Sequence, residues 1–142
     1  MKLAALLLTL AVCAASLAQV QAPTDYTPKF KGDPAHSEAE AVALGYMRTV
    51  AVAQKLYKKK HGDYADSLHS LIGHGSFTRR MAVPERGDYT VKFHSTGKTW
   101  SLGMVPKTFD AAHRAFYMDD TGTIRGESDK PATASSEPLK KG

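Results

Sequence analysis

Apolar and polar positions divide the chain into four parts: an apolar start, a proline-rich stretch, a periodic body and a tail with no period. The periodic body opens at Ser37-Glu38-Ala39-Glu40. Ser37 suits a helix N-cap, and Glu40 three residues on can return the bond, which makes a capping box. Both glutamates also lie where a helix dipole favours negative charge. Val42, Tyr46, Val50, Ala53 and Tyr57 then recur at spacings of three and four, with Thr49 and Leu56 beside them. That period predicts one apolar stripe on a helix, facing a sheet. Arg48, Lys55 and Lys59 fall on the other side. Lys58-Lys59-Lys60-His61 supply cations where the helix carbonyls end, and Gly62 stops it. A helix from Ser37 to Lys60 is about 36 Å long.

Beyond it, Gly62-Asp63-Tyr64 predicts a turn. Leu68, Leu71 and Ile72 suit a short second helix capped by Asp66 or Ser67 and ended by Gly73 and Gly75. Residues 76–87 read as a polar loop containing Pro84 and Gly87. Three alternating runs follow. Tyr89, Val91 and Phe93 form the first, and Trp100, Leu102 and Met104 the second, closed by Pro106. Arg114, Phe116 and Met118 form the third, against Ala115 and Tyr117. Each is the period of a half-buried strand. Asp119-Asp120-Thr121-Gly122 predicts a turn, and Thr123-Ile124-Arg125 a short return strand. The class is α+β, with one long N-terminal helix packed on a three- or four-stranded antiparallel sheet.

The flanks carry a different signal. Lys2 precedes an apolar run from Leu3 to Leu17, and Ser16 and Ala18 are small at the spacing a signal peptidase reads. Val20 and Ala22 offer a second site, but Pro23 follows it, which favours cleavage after Ala18. A retained anchor is the first rival; the run of about 15 residues is short of the roughly 20 that span a bilayer. Lipidation at Cys13 is the second; Val12 is too large for the position before a lipidated cysteine. Residues 19–36 hold Pro23, Pro28 and Pro34 and read as an extended linker. Residues 127–142 read as a disordered tail. The domain is expected over 37–126, in the periplasm or secreted.

Composition narrows the function. With 142 residues there is room for one domain, and 42% apolar residues can form a core. A net charge of +5 is weak ground for nucleic-acid binding, and the Lys58-Lys59-Lys60 run with Arg79-Arg80 reads as solvated surface. The one cysteine, Cys13, is lost on cleavage, which excludes thiol catalysis, disulfides and cysteine zinc sites.

The stretch Tyr57, Gly62-Asp63-Tyr64, Ser67-Leu68 and Leu71 resembles the end of the first helix in type IV pilins and type II secretion pseudopilins. Phe116-Tyr117-Met118-Asp119, Gly122 and Thr123-Ile124-Arg125 resemble the last hairpin of bacterial pilin-like heads. The resemblance covers roughly residues 38–126 and implies a pilin-like fold. The chain departs from the family where a prepilin has a basic leader ending in glycine, Phe-Thr-Leu-Ile-Glu and a continuous apolar helix. The resemblance therefore implies a head domain exported on its own and unable to form filaments in the family's usual way.

No catalytic constellation is read. His69 and His74 are separated by Gly73, His94 and His113 are candidate cross-strand neighbours, and no histidine set has ligand spacing. Asp119 to Gly122 lacks the ligand series of a calcium loop. Gly-x-Ser-x-Gly is absent from the sequence. The expectation is a non-catalytic, exported binding or accessory component at the cell envelope or of a pilus or secretion system. It would have a protein partner and neither nucleic acid, metal nor cofactor. Once cleaved it would lack a stable membrane anchor and be a monomer or small oligomer. The alternative is a small periplasmic enzyme or ligand-binding protein, which would show a pocket of convergent polar groups.

Overall fold

A computed structural model describes residues 25–140. The segment read as a signal, with Cys13, and the first part of the proline-rich stretch lie outside the described residues. One helix, α1 (Glu38–His61), is followed by β1 (Glu85–Arg86), β2 (Tyr89–Ser95), β3 (Trp100–Pro106), β4 (Ala115–Asp119) and β5 (Arg125–Glu127). The strands form one antiparallel meander in the order β1-β2-β3-β4-β5. The sheet thus has five strands, which corrects the expected three or four. The additional strand is β1, taken from the stretch read as a polar loop. It is two residues long, so it shows no alternation. What makes it is the Gly87-Asp88 hairpin turn, with φ +60° at Gly87, pairing Arg86 with Tyr89.

α1 begins as its capping signals require. Ser37 Oγ accepts the Glu40 N–H at 3.1 Å, and the Gly62 N–H donates to Lys58 O at 2.8 Å with φ +89°. The stripe is rotated from the expected one. Ala43, Leu44, Met47 and Gln54 are buried with Tyr46, Val50 and Ala53, whereas Val42 is 56% exposed and Leu56 is 41% exposed. Apolar residues lie on both faces of this helix, so spacing alone did not fix which face turns inward. The helix core residues join Tyr89, Val91, Trp100, Leu102, Met104, Phe116 and Met118 of the sheet in one cluster. Tyr46 keeps its hydroxyl satisfied by donating to Met81 O at 2.9 Å, and burial pushes its pKa up to about 12.

The helix-to-sheet turn is pinned at three points. The Tyr64 N–H donates to Gly97 O at 2.8 Å, and Lys98 Nζ meets Asp63 Oδ1 at 2.5 Å. The buried Gln54 amide pairs with both backbone groups of Ala65, at 2.8 and 3.2 Å. The expected second helix is only a 3-10 turn, His69–Leu71, with a second at Arg79–Met81.

Both flanks depart from their expected character. Residues 25–36 pack on the body, organised by the buried Asp33 carboxylate. It accepts from the Tyr26 hydroxyl at 2.5 Å, the Lys29 N–H at 2.9 Å and the Ala35 N–H at 3.1 Å. Residues 127–140, read as a disordered tail, turn back along β5 and place Leu139 against the core. Polar composition hid both, because the arm is ordered by hydrogen bonds to one buried carboxylate and the tail by the edge of β5, and neither carries an apolar period. Among the described residues no helix is long and apolar enough to cross a membrane.

Candidate functional site

Polar chemistry gathers where the first turn of α1 meets the start of β4. Glu40 is fully buried. Its Oε1 accepts the Arg114 N–H at 2.9 Å and Arg114 Nε at 3.0 Å; its Oε2 accepts Arg114 Nη2 and the His36 N–H, both at 2.7 Å. Arg114 Nη2 also donates to Pro34 O at 2.7 Å, and the guanidinium lies 5.5 Å from the Phe116 ring centroid. A buried charge needs this density of partners, since an unpaired one costs several kcal/mol. Ser37 ties in the same region, its Oγ donating to Ala112 O. The expected capping box is therefore altered: Glu40 reaches the N–H of His36 rather than that of Ser37, and its main partner is an arginine 74 residues away. Arg114, expected to open the third strand, instead precedes β4 and turns to Glu40.

Two open clefts flank this pair and share His36, Arg114 and Ser128. One, of about 750 Å³, lies between the N-terminal arm and the tail, with Phe30, Lys31, Pro138 and Leu139 on its walls. The other, of about 710 Å³, is lined by Phe109, Asp110, Glu127 and Asp129. Burial, and then the charge of Arg114, lower the pKa of His36 against the opposing pull of Glu40. This favours its neutral ring, a donor and an acceptor at once.

A second cluster sits beside the β1–β2 turn. His113 Nδ1 is 2.7 Å from Asp110 Oδ1, and its Nε2 is 3.2 Å from Asp88 Oδ2. Burial works against a charged ring here, but the bonds to Asp110 and Asp88 outweigh it and raise the pKa. His113 consequently clamps the 107–114 loop to the turn. It is not a neighbour of His94, which pairs with Ser101 on β3. Among the described residues no group of three or more histidine, cysteine or acidic side chains is placed to hold a metal ion.

The residues singled out by resemblance are scattered. Tyr57 stacks on His61 with ring centroids 4.2 Å apart, Tyr64 meets Trp100 edge-on, and Leu68 and Leu71, which precede and end the first 3-10 turn, pack with the core. Phe116 is buried and Tyr117 pairs with Gly103 and Arg125. Asp119 caps its own turn by accepting from the Thr121 N–H at 3.0 Å, Gly122 adopts φ +78°, and Ile124 accepts the Leu139 N–H. None of these residues lines a cleft; Ser37 and Glu40, read as the capping box, lie behind the cleft walls, where Glu40 holds His36 and Arg114. Lys58 lies over the Tyr64 ring at 4.1 Å, apart from the site. Arg114 and His36 went unread as site residues; the one available signal was an arginine at an inward position of an otherwise apolar alternation. Comparison of the chain with protein families, curated proteins and solved structures finds no match.

Proposed function

We propose that this protein is an exported, non-catalytic binding head related to type IV pilins and type II secretion pseudopilins. It would act as an accessory component at the cell envelope or of a pilus or secretion system. The observation that carries the reading is the seat of Gly62-Asp63-Tyr64. The turn ends the long helix, donates from Tyr64 to Gly97 and pairs Asp63 with Lys98, so that helix, turn and hairpin follow in the order on which the resemblance rests. Export is supported by the amino-terminal sequence alone.

The experiment is fractionation of the native host, followed by photo-crosslinking from position 109 at the cleft rim. The expected result is a processed protein beginning at Gln19 outside the cytoplasm, crosslinked to an envelope or secretion component. A cytoplasmic, unprocessed chain overturns the reading. The Arg114 clefts favour a second reading, a ligand-binding protein, because they place a guanidinium and an imidazole between aromatic walls. Thermal-shift screening of small carboxylates separates the two: saturable stabilisation that is absent at high salt supports the ligand reading.

A further inference from the structure

Strand β5 ends the sheet, and its outer edge is covered by the chain's own tail. The tail runs antiparallel to it, with Pro138 opposite Arg125. The Gly126 N–H donates to Glu137 O at 3.1 Å and the Leu139 N–H to Ile124 O at 2.9 Å. Arg125 Nη1 donates to Ser136 O at 2.9 Å, and the buried Ser136 hydroxyl donates to Glu127 at 2.7 Å. Leu139 lies over Gly126 so closely that a Cβ there would come within 2.5 Å of Leu139 Cδ2. The edge thus presents a leucine seat floored by glycine, a hydroxyl seat beside Glu127, and an arginine that reads a backbone carbonyl.

The tail fills this edge incompletely. Around the Arg125–Pro138 pair, an antiparallel strand exchanges bonds in both directions between 124 and 139 and between 126 and 137. The tail makes one of each. Its connector, residues 128–131, is exposed.

We infer that the outer edge of β5 is a strand-addition site for an extended segment of a partner protein, and that the tail occupies it in the partner's absence. The partner segment carries a leucine-sized residue at the Leu139 seat and a small hydroxyl residue at the Ser136 seat, and its backbone makes the two bonds the tail leaves unmade, accepting the Ile124 N–H and donating to Gly126 O. A second copy's tail is the weaker competitor: it has the same intrinsic affinity as the resident tail, which is tethered at an effective concentration of about millimolar. Exchange also rebuilds one cleft wall, since Pro138 and Leu139 line it. The inference deepens the binding-head reading and rests on it for the existence of a partner.

The probe is a fluorescent peptide of residues 133–140 carrying Pro138→Val, titrated into the full chain. Leu139→Ala weakens the resident tail, so the variant should bind the peptide at least about tenfold tighter than the unaltered chain. Gly126→Val fills the leucine seat and should abolish that binding in the Leu139→Ala background, with its melting curve confirming a folded protein. Equal peptide affinity of the Leu139→Ala variant and the unaltered chain overturns the inference, as does a tail-exchanged dimer in place of the peptide complex. Hydrogen exchange on the unaltered chain tests the same point without a variant. The amides of Gly126 and Leu139 should exchange well before those of Leu102 and Met104, and equal protection overturns it. These measurements use isolated protein, so a cytoplasmic location in the host would sink the export reading and leave the groove standing.

Discussion

Replacing Glu40 by glutamine tests whether the buried carboxylate holds the arm, helix and β4 together. The side chain keeps its shape but loses its charge and one acceptor oxygen. Four donors converge on the carboxylate: two from the Arg114 side chain and the N–H groups of His36 and Arg114. A glutamine oxygen can serve the pair at one position, and its NH2 must then face the pair at the other. Two bonds are lost, at least one to the guanidinium, and hydrogen bonds to charged groups contribute about 1.5–3 kcal/mol each. The sum agrees with the about 3–5 kcal/mol seen when one member of a buried ion pair is removed. Arg114 is 15% exposed, so some of its charge can be solvated, which favours the lower end.

The assay is urea unfolding of the full chain at neutral pH, with Glu40→Met, Arg114→Met and the Glu40→Met/Arg114→Met double variant forming a cycle beside Glu40→Gln. Each single variant should lose about 3 kcal/mol or more, while the double variant, which buries no unpaired charge, should recover most of the loss. A Glu40→Gln midpoint corresponding to less than about 1 kcal/mol would refute the reasoning, because the carboxylate would then not hold the three segments.

Three further outcomes follow from the packing and the charges. His113 has a folded pKa raised above 6.5, so its clamp contributes fully below that value and is lost as pH rises through the raised one. His36, lowered from 6.5, acts in the opposite sense and costs stability as pH falls below 6.5. The stability difference between the unaltered chain and His113→Gln should therefore shrink above neutral pH in urea titrations; a constant difference would contradict the clamp. Val50→Asp should cost about 3–5 kcal/mol and Val42→Asp no more than about 0.5 kcal/mol, since one is buried and the other exposed. Similar melting temperatures for the two would mean that the helix face is misplaced. Gln54→Leu should cost about 1–3 kcal/mol for each Ala65 backbone group left unpaired, and an unchanged urea midpoint would show that water replaces the amide.

The helix was legible in the sequence because its signals are local: Ser37 as cap, Gly62 as stop and a period near 3.6 between them. β2, β3 and β4 were legible from alternation. The face of the helix was not, because Val42, Val52 and Leu56 are as apolar as Leu44 and Met47, and only the tertiary fold chooses between the two faces. β1 carries no pattern in two residues. The arm and tail read as linker and disorder because neither has an apolar period; the arm is ordered by hydrogen bonds to its own Asp33 carboxylate and the tail by the β5 edge.

The candidate site was hidden for a related reason. Glu40 read as the capping-box partner of Ser37 and as a charge favoured by the helix dipole, both roles local to the first turn. Its claim comes from Arg114 in the segment before β4, and neither residue carries a sign of the other. Burying both charges is unfavourable unless the pairing geometry is good and the remaining donors are met. His36 and Pro34 meet them, and they belong to the arm. The arm is therefore ordered by the same pair that shapes the clefts, and the tail closes the first cleft from the other side through Leu139. Ala35 of the arm lies in the core cluster and Leu139 of the tail packs against it, so the two flanks add to the core as well as walling the clefts. Leu139 is only partly buried, so a strand exchanged at the outer edge of β5, as proposed above, would disturb the core less than one exchanged at the central β3, whose Leu102 and Met104 are fully buried.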